Sequence, residues 1–255
     1  MRLTTVGTGT VAPSAHRVCS GQLVEAGSLV ILLDCGNGVA HRMAALGAAW
    51  TGITHLALSH FHPDHIGDIP LLMMAWRYGT LPPRAAPLEI IGPVGTVALL
   101  DHLAGAFGAW MREPGYPVSV REIPAGTGAD LGDGVRLETR KVPHTDESIA
   151  YSITSGGARV VYTGDTGFDE TLGSWAAGCD VLLAECSLPG SMGIPTHLTP
   201  EECGRLAALA RPRLLALTHF YPPVEQVDIL GIVAESFDGQ TVVATDGWAV
   251  QIEET

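Results

Sequence analysis

No run of Lys or Arg stands out anywhere in the 255 residues, and 14 basic side chains face 27 acidic ones, for a formal net charge of -13. Affinity for nucleic acid rests largely on neutralising phosphates, so a long polynucleotide is a poor partner for such a field. Bound divalent cations would reverse its sign locally and leave a small anionic substrate open. No stretch reaches the roughly 20 apolar residues of a membrane span, which removes the membrane as a partner. The opening segment, Met1 to Gly7, is interrupted by glycine too early to form the apolar centre of a signal peptide. The five cysteines (Cys19, Cys35, Cys179, Cys186 and Cys203) are odd in number and scattered, without a Cys-x-x-Cys pair. A reduced, cytoplasmic setting is the simplest inference.

Charged residues are also scarce, at 16%, while hydrophobic ones reach 46% and Gly (31) and Pro (17) are plentiful. That balance predicts a large core crossed by many tight turns. Short apolar runs at 29–33, 56–58, 160–162, 181–183 and 214–217 read as buried strands, and the segments 37–48, 66–78, 94–107, 199–210 and 223–236 have helical spacing. The fourth helix opens Thr199-Pro200-Glu201-Glu202, a capping residue followed by a proline at the first helical position. The class is α/β or α+β. Both halves repeat strands followed by strand-helix units with no linker between them, so residues 1–255 are expected to form a single domain with a weak internal duplication.

The densest chemistry lies at Ser59-His60-Phe61-His62-Pro63-Asp64-His65, directly after the strand expected at 54–59 and directly before a helix. Imidazole nitrogens and carboxylates suit zinc and similar ions, and a turn at the end of a rigid strand can aim several at one point. One short motif cannot complete two ions. Further candidates follow the ends of other expected strands: His144 after 137–142, Asp165 after 160–164 and His219 after 214–218.

In this order His60-x-His62-x-Asp64-His65, His144, Thr163-Gly164-Asp165-Thr166 and Thr218-His219 resemble the metallo-β-lactamase-fold superfamily, over almost the full chain. The resemblance implies a four-layer αββα sandwich with two divalent metal ions at one edge of its sheets, zinc first, with manganese or iron as alternatives. It implies His60, His62 and His144 around one ion, Asp64, His65 and His219 around the other, and Asp165 bridging them. Zinc β-lactamases lack that bridging carboxylate, which sets antibiotic hydrolysis aside. Oxygen-reducing di-iron members carry Glu where Asp64 stands and add a flavin domain, and this chain has neither.

A second motif narrows the branch. Glu185, in Ala184-Glu185-Cys186-Ser187, and His197, in Thr196-His197-Leu198-Thr199-Pro200, are similar to the Glu and His motifs of ribonuclease Z and the small phosphodiesterases related to it. There the histidine acts at the leaving group and the glutamate orients it. Two ions acidify a water held between them, but a departing alkoxide still requires a proton, and His197 is placed to supply it; Asp64 is a further candidate for positioning the nucleophile. In ribonuclease Z a long arm that grips transfer RNA lies between the positions of His144 and Asp165. Here only residues 145–164 fill that interval, enough for two strands and a turn. The expected substrate is therefore a small or cyclic phosphodiester. A lactone or other carboxylic ester hydrolase on the same site, and an RNA endonuclease without the arm, are the alternatives, with a metal-stabilised binding protein as the non-enzymatic one.

The stretch Gly7-Thr8-Gly9-Thr10-Val11-Ala12 fits G-x-G-x-x-A, but Pro13 and Ser14 do not start the helix a dinucleotide site needs. It reads instead as a loop beside the site, with Asp34 supporting the metal loops. Trp76, Tyr78, Trp110 and Tyr116 are candidates for a substrate mouth, a homodimer interface or plain cover of the core. His16, His41, His55 and His102 are read as structural.

Overall fold

The short apolar runs become strands of two seven-stranded sheets in the computed structural model, which describes residues 1–253. In the first sheet β1 (Arg2–Gly7), β2 (Gly21–Ala26) and β3 (Leu29–Leu33) pair antiparallel, and β4 (His55–Ala57), β5 (Leu88–Gly92) and β6 (Val118–Glu122) continue parallel to β3. The second sheet repeats this scheme. Antiparallel β7 (Gly128–Gly132), β8 (Val135–Lys141), β9 (Ile149–Ser155) and β10 (Ala158–Tyr162) lead into parallel β11 (Val181–Glu185), β12 (Leu214–Thr218) and β13 (Thr241–Val243). A last strand, β14 (Ala249–Gln251), returns to the first sheet and pairs with β1. The repeat expected from the two halves of the sequence is thus visible as two sheets of like topology.

Three cores hold the layers together. Between the sheets pack Leu3, Val24, Ile31 and Leu33 from one and Leu137, Tyr151, Ile153 and Leu183 from the other. Outside the first sheet lie α1 (Val39–Leu46), the single turn α2 (Pro63–Ile66), α3 (Ile69–Tyr78) and α4 (Thr96–Phe107), which bury Met43, Leu72, Trp76 and Leu100 against it. Outside the second lie α5 (Glu170–Trp175), α6 (Pro200–Ala210) and α7 (Ile229–Ala234), with Leu172, Leu206 and Val233 inside. The result is the expected αββα sandwich. Strands β11 and β12 are buried along their whole length, which is why they read as continuous apolar runs instead of alternating ones.

The helix expected at 66–78 is broken. Gly67 and Asp68 follow the end of α2, Pro70 lies in the first turn of α3, and the Asp68 carboxylate accepts from Ala40 N at 2.8 Å, which ties the break to α1. The segment 223–236 likewise shortens to α7, because Asp228 caps at Gly231 N (3.0 Å) and leaves only a 3-10 turn before it. Helix α5 was not anticipated, although Asp169 capping Thr171 N at 2.8 Å is an ordinary start signal. Thr199 caps α6 as expected and forms a full capping box with Glu202. No described helix is long and apolar enough to cross a membrane.

Strands β4, β8, β10, β11 and β12 all end at the same edge of the sandwich, and the candidate ligands follow four of them.

Candidate metal centre

Pro63 opens α2 immediately after His62, and the turn faces Asp64 and His65 inward while His60 lies buried at the end of β4. Two loops clamp this turn: after β3, Cys35 N donates to His65 O at 2.7 Å, and before β2, Ser20 N donates to Asp64 O at 3.1 Å. Gly36 is required for so close an approach, since a Cβ there would meet Asp64 O at 1.8 Å. Asp34, fully buried, accepts from Ser59 N (2.7 Å), Ser59 Oγ (2.8 Å), Tyr162 Oη (2.7 Å) and His65 Nδ1 (2.7 Å). One carboxylate thereby fixes the motif of the first sheet and a tyrosine of the second. Asp34 supports the loops, as the sequence suggested.

The second sheet supplies the rest. His144, Asp165 and His219 follow β8, β10 and β12, and Gly164 lets the β10 loop press on Ser59, where a Cβ would lie 2.9 Å from that of the serine. Two groups form. His60, His62, His144 and Asp165 make one, with His144 Nε2 3.0 Å from His62 Nδ1 and 3.7 Å from Asp165 Oδ2, which also lies 3.8 Å from His60 Nε2. Asp64, His65 and His219 make the other, with His219 Nε2 3.3 Å from His65 Nε2 and 3.4 Å from Asp64 Oδ2. Asp165 Oδ1 faces this second group, 3.2 Å from His65 Nε2 and 3.3 Å from His219 Nε2. Its two oxygens therefore face different groups. All seven sequence candidates meet here, and His16, His41, His55 and His102 belong to neither group.

The donor set suits cations. His60 Nε2 and Asp165 Oδ1 are buried without a hydrogen-bond partner, the arrangement of lone pairs reserved for a metal and a costly one otherwise. His144 Nδ1 donates to Thr196 O at 2.9 Å, which leaves its Nε2 as the lone-pair nitrogen facing the group. Burial and the neighbouring His65 push His60 well below the ordinary imidazole range. Burial opposes ionisation of Asp165, yet the charges of His219 and His65 hold it well below the usual carboxylate range. His65 is lifted well above its ordinary value in spite of burial, by Asp165 and Asp34 on its two sides. The same pair of carboxylates that favours a proton there would favour a metal cation.

His197 stands over both groups, its ring 4.8 Å from that of His144 and stacked at 5.7 Å on that of His219. Glu185 holds its Nδ1 from two oxygens at 3.0 and 3.2 Å and accepts from Thr166 N at 2.6 Å, next to Asp165. Burial disfavours a charged His197, but the Glu185 hydrogen bond and charge prevail and raise its pKa to about 9. Two neighbours escaped the sequence. Ser187 is buried among Glu185, His197 and His219, and the Tyr221 ring lies edge-on to those of His197 (6.1 Å) and His219 (6.0 Å). Trp76 and Tyr116, by contrast, are buried in the outer core of the first sheet, so neither lines a mouth, and Tyr78 is exposed. The Gly7 to Gly9 loop does lie beside the site: Gly9 bridges Phe220, and Phe220 N donates to Thr8 O at 3.0 Å.

A family model described as the beta-lactamase superfamily domain matches residues 30–220, from β3 through His219. The chain belongs to this superfamily. It is a metal-dependent hydrolase, and its relatives lie on the ribonuclease Z side. Ribonuclease Z of Mycobacterium sp. (strain KMS) is 32% identical to it over 279 aligned positions, covering 99% of this chain and 96% of the relative. Among solved structures, the metallo-beta-lactamase fold protein YhfI from Bacillus subtilis has a TM-score of 0.84 at 24% identity, covering 98% of each chain. Human tRNase Z, short form, follows with a TM-score of 0.80 at 20% identity, over 99% of this chain and 100% of its own. These two likenesses concern the fold.

Proposed function

We propose that this superfamily member is a dinuclear phosphodiesterase acting on a small or cyclic phosphodiester. The observation that carries the proposal is the placement of His197, held by Glu185 and stacked beside two ligand groups that share Asp165. In this assignment His60, His62 and His144 hold one ion, Asp64, His65 and His219 the other, and Asp165 both; zinc is the first candidate for each. When bound, the ions supply Lewis acidity toward the phosphoryl oxygens and a nucleophile at neutral pH. The residues do the rest. Glu185 fixes Nδ1 of His197 and stabilises its charged form, so a proton is held on Nε2 for the leaving oxygen. Asp64, on the second group, helps orient the nucleophile.

Asp34 sets the geometry from outside. Asp34→Ala strands donors on Ser59, Tyr162 and His65, and is expected to weaken zinc binding by about 10- to 100-fold, read by chelator competition.

The name of the mycobacterial relative favours RNA as a second reading, and it weighs against excluding nucleic acid on net charge alone. Against a gripped transfer RNA stands the interval from His144 to Asp165, which holds only the β9–β10 hairpin closed at Gly156-Gly157. Zinc-loaded protein should be assayed on bis(p-nitrophenyl) phosphate, a 2′,3′-cyclic nucleotide, a lactone and a transfer RNA precursor. Turnover of the first two, with the precursor cleaved weakly or not at all, is the expected pattern. Preference for the lactone would refute the phosphodiesterase assignment, and preference for the precursor would make RNA the substrate.

A further inference from the structure

We infer that Ser187 is a positioning residue whose single hydroxyl couples the leaving-group histidine to one of the ion ligands. The inference rests on the proposed roles of His197 and His219, and concerns what holds them in register.

Ser187 lies where three loops cross. It follows β11, its N–H donates to Leu198 O at 3.0 Å just before α6, and its carbonyl accepts from Tyr221 N at 3.2 Å in the loop after β12. Its Oγ is buried against Glu185 Oε2 in a very short contact, 2.9 Å from His219 Nδ1 and 3.3 Å from His197 Nδ1, with His219 O at 3.2 Å. The hydroxyl is the donor of this pair and the carboxyl oxygen the acceptor. The serine proton therefore goes to Glu185, a stronger acceptor than the more distant carbonyl. With its one donor used, Oγ can only accept from His219. That requirement places a proton on Nδ1 of His219 and leaves Nε2, the nitrogen facing Asp64, His65 and Asp165, with its lone pair.

Glu185 thus governs both histidines, His197 directly and His219 through Ser187. Each of its oxygens has a protein donor besides His197: Thr166 N on Oε1, and Ser187 Oγ and Leu198 N (3.2 Å) on Oε2. The carboxylate that orients the acid therefore also sets the tautomer of a residue in the ion group, and the two cannot drift apart independently.

The test compares Ser187→Ala and His219→Ala with the unmodified chain, by zinc titration against a chromophoric chelator and by nitrogen-15 imidazole spectra of the zinc-loaded proteins. His219→Ala should lose one of two ions; if it keeps both, the ligand assignment itself fails. Given that loss, Ser187→Ala should retain the fold, as judged by its Tm, bind one zinc ion with unchanged affinity, and bind the other about 10- to 100-fold more weakly. Its His219 signals should lose the Nδ1–H form. Ser187→Cys, which keeps a weak donor and acceptor, should fall between. Affinities within twofold of the unmodified chain at both sites, or equal weakening of both, would overturn the inference while leaving the ligand assignment standing.

Discussion

Asp165→Ala should reduce bound metal from the two ions per chain of the proposed centre to at most one and lower kcat/KM by about 1,000-fold. Asp165 is the one side chain that offers an oxygen to each group, Oδ1 at 3.2 and 3.3 Å from His65 and His219, and Oδ2 at 3.7 and 3.8 Å from His144 and His60. Its removal also takes a negative charge from a buried cluster of imidazoles, so the two cations of the proposed centre would lose both a shared ligand and the screen between them. Several kcal/mol of transition-state stabilisation is the usual contribution of such an ion, and each ~1.4 kcal/mol is a factor of ten. Asp165→Asn is the sharper control, because an amide keeps one oxygen and gives up the other. Elemental analysis after gel filtration, together with steady-state kinetics, reads both quantities; two tightly held ions in Asp165→Ala would rule out bridging.

His197→Ala should leave two ions in place and cut kcat by roughly 100- to 10,000-fold on a phosphodiester with an alkoxide leaving group. The deficit should shrink on a p-nitrophenyl ester, whose leaving oxygen departs without a proton. That dependence on the leaving group separates an acid from a residue that merely packs. It also separates an acid from a ligand, since Asp165, His197 and His219 are close enough to form a grouping of their own. If the variant loses an ion, His197 belongs to the metal site; if its rate is unchanged on both esters, it has no part in the chemistry.

What could be read from the sequence followed from contiguity. His60, His62, Asp64 and His65 are adjacent in the chain, so one strand end and one turn display them together. His144, Asp165 and His219 were legible because each follows an expected strand, and equivalent ends of strands in one sheet meet at one edge. Ser187 and Tyr221 were not legible, because their roles come from the crossing of loops after β11 and β12 with the start of α6, and nothing local marks them. Trp76 and Tyr116 were left open among mouth, interface and cover of the core, because aromatic character beside turns does not say which side of a helix faces the sheet; packing took both into the core. The break at Gly67 and Asp68 overrode the expected continuous helix, since Pro70 has no N–H for a helix running on from residue 66 and Asp68 is tied to α1.

Asp34 and His219 share a backbone property that bears on how such a site persists. Both lie in the left-handed region, with φ of 59° and 61°. Asp and His tolerate that region better than most residues, yet glycine would occupy it with less strain, a difference on the order of 1 kcal/mol. A carboxylate at one and an imidazole at the other give up that ease for what glycine cannot offer, the hydrogen bonds that Asp34 accepts and the ring nitrogen that His219 turns toward Asp165.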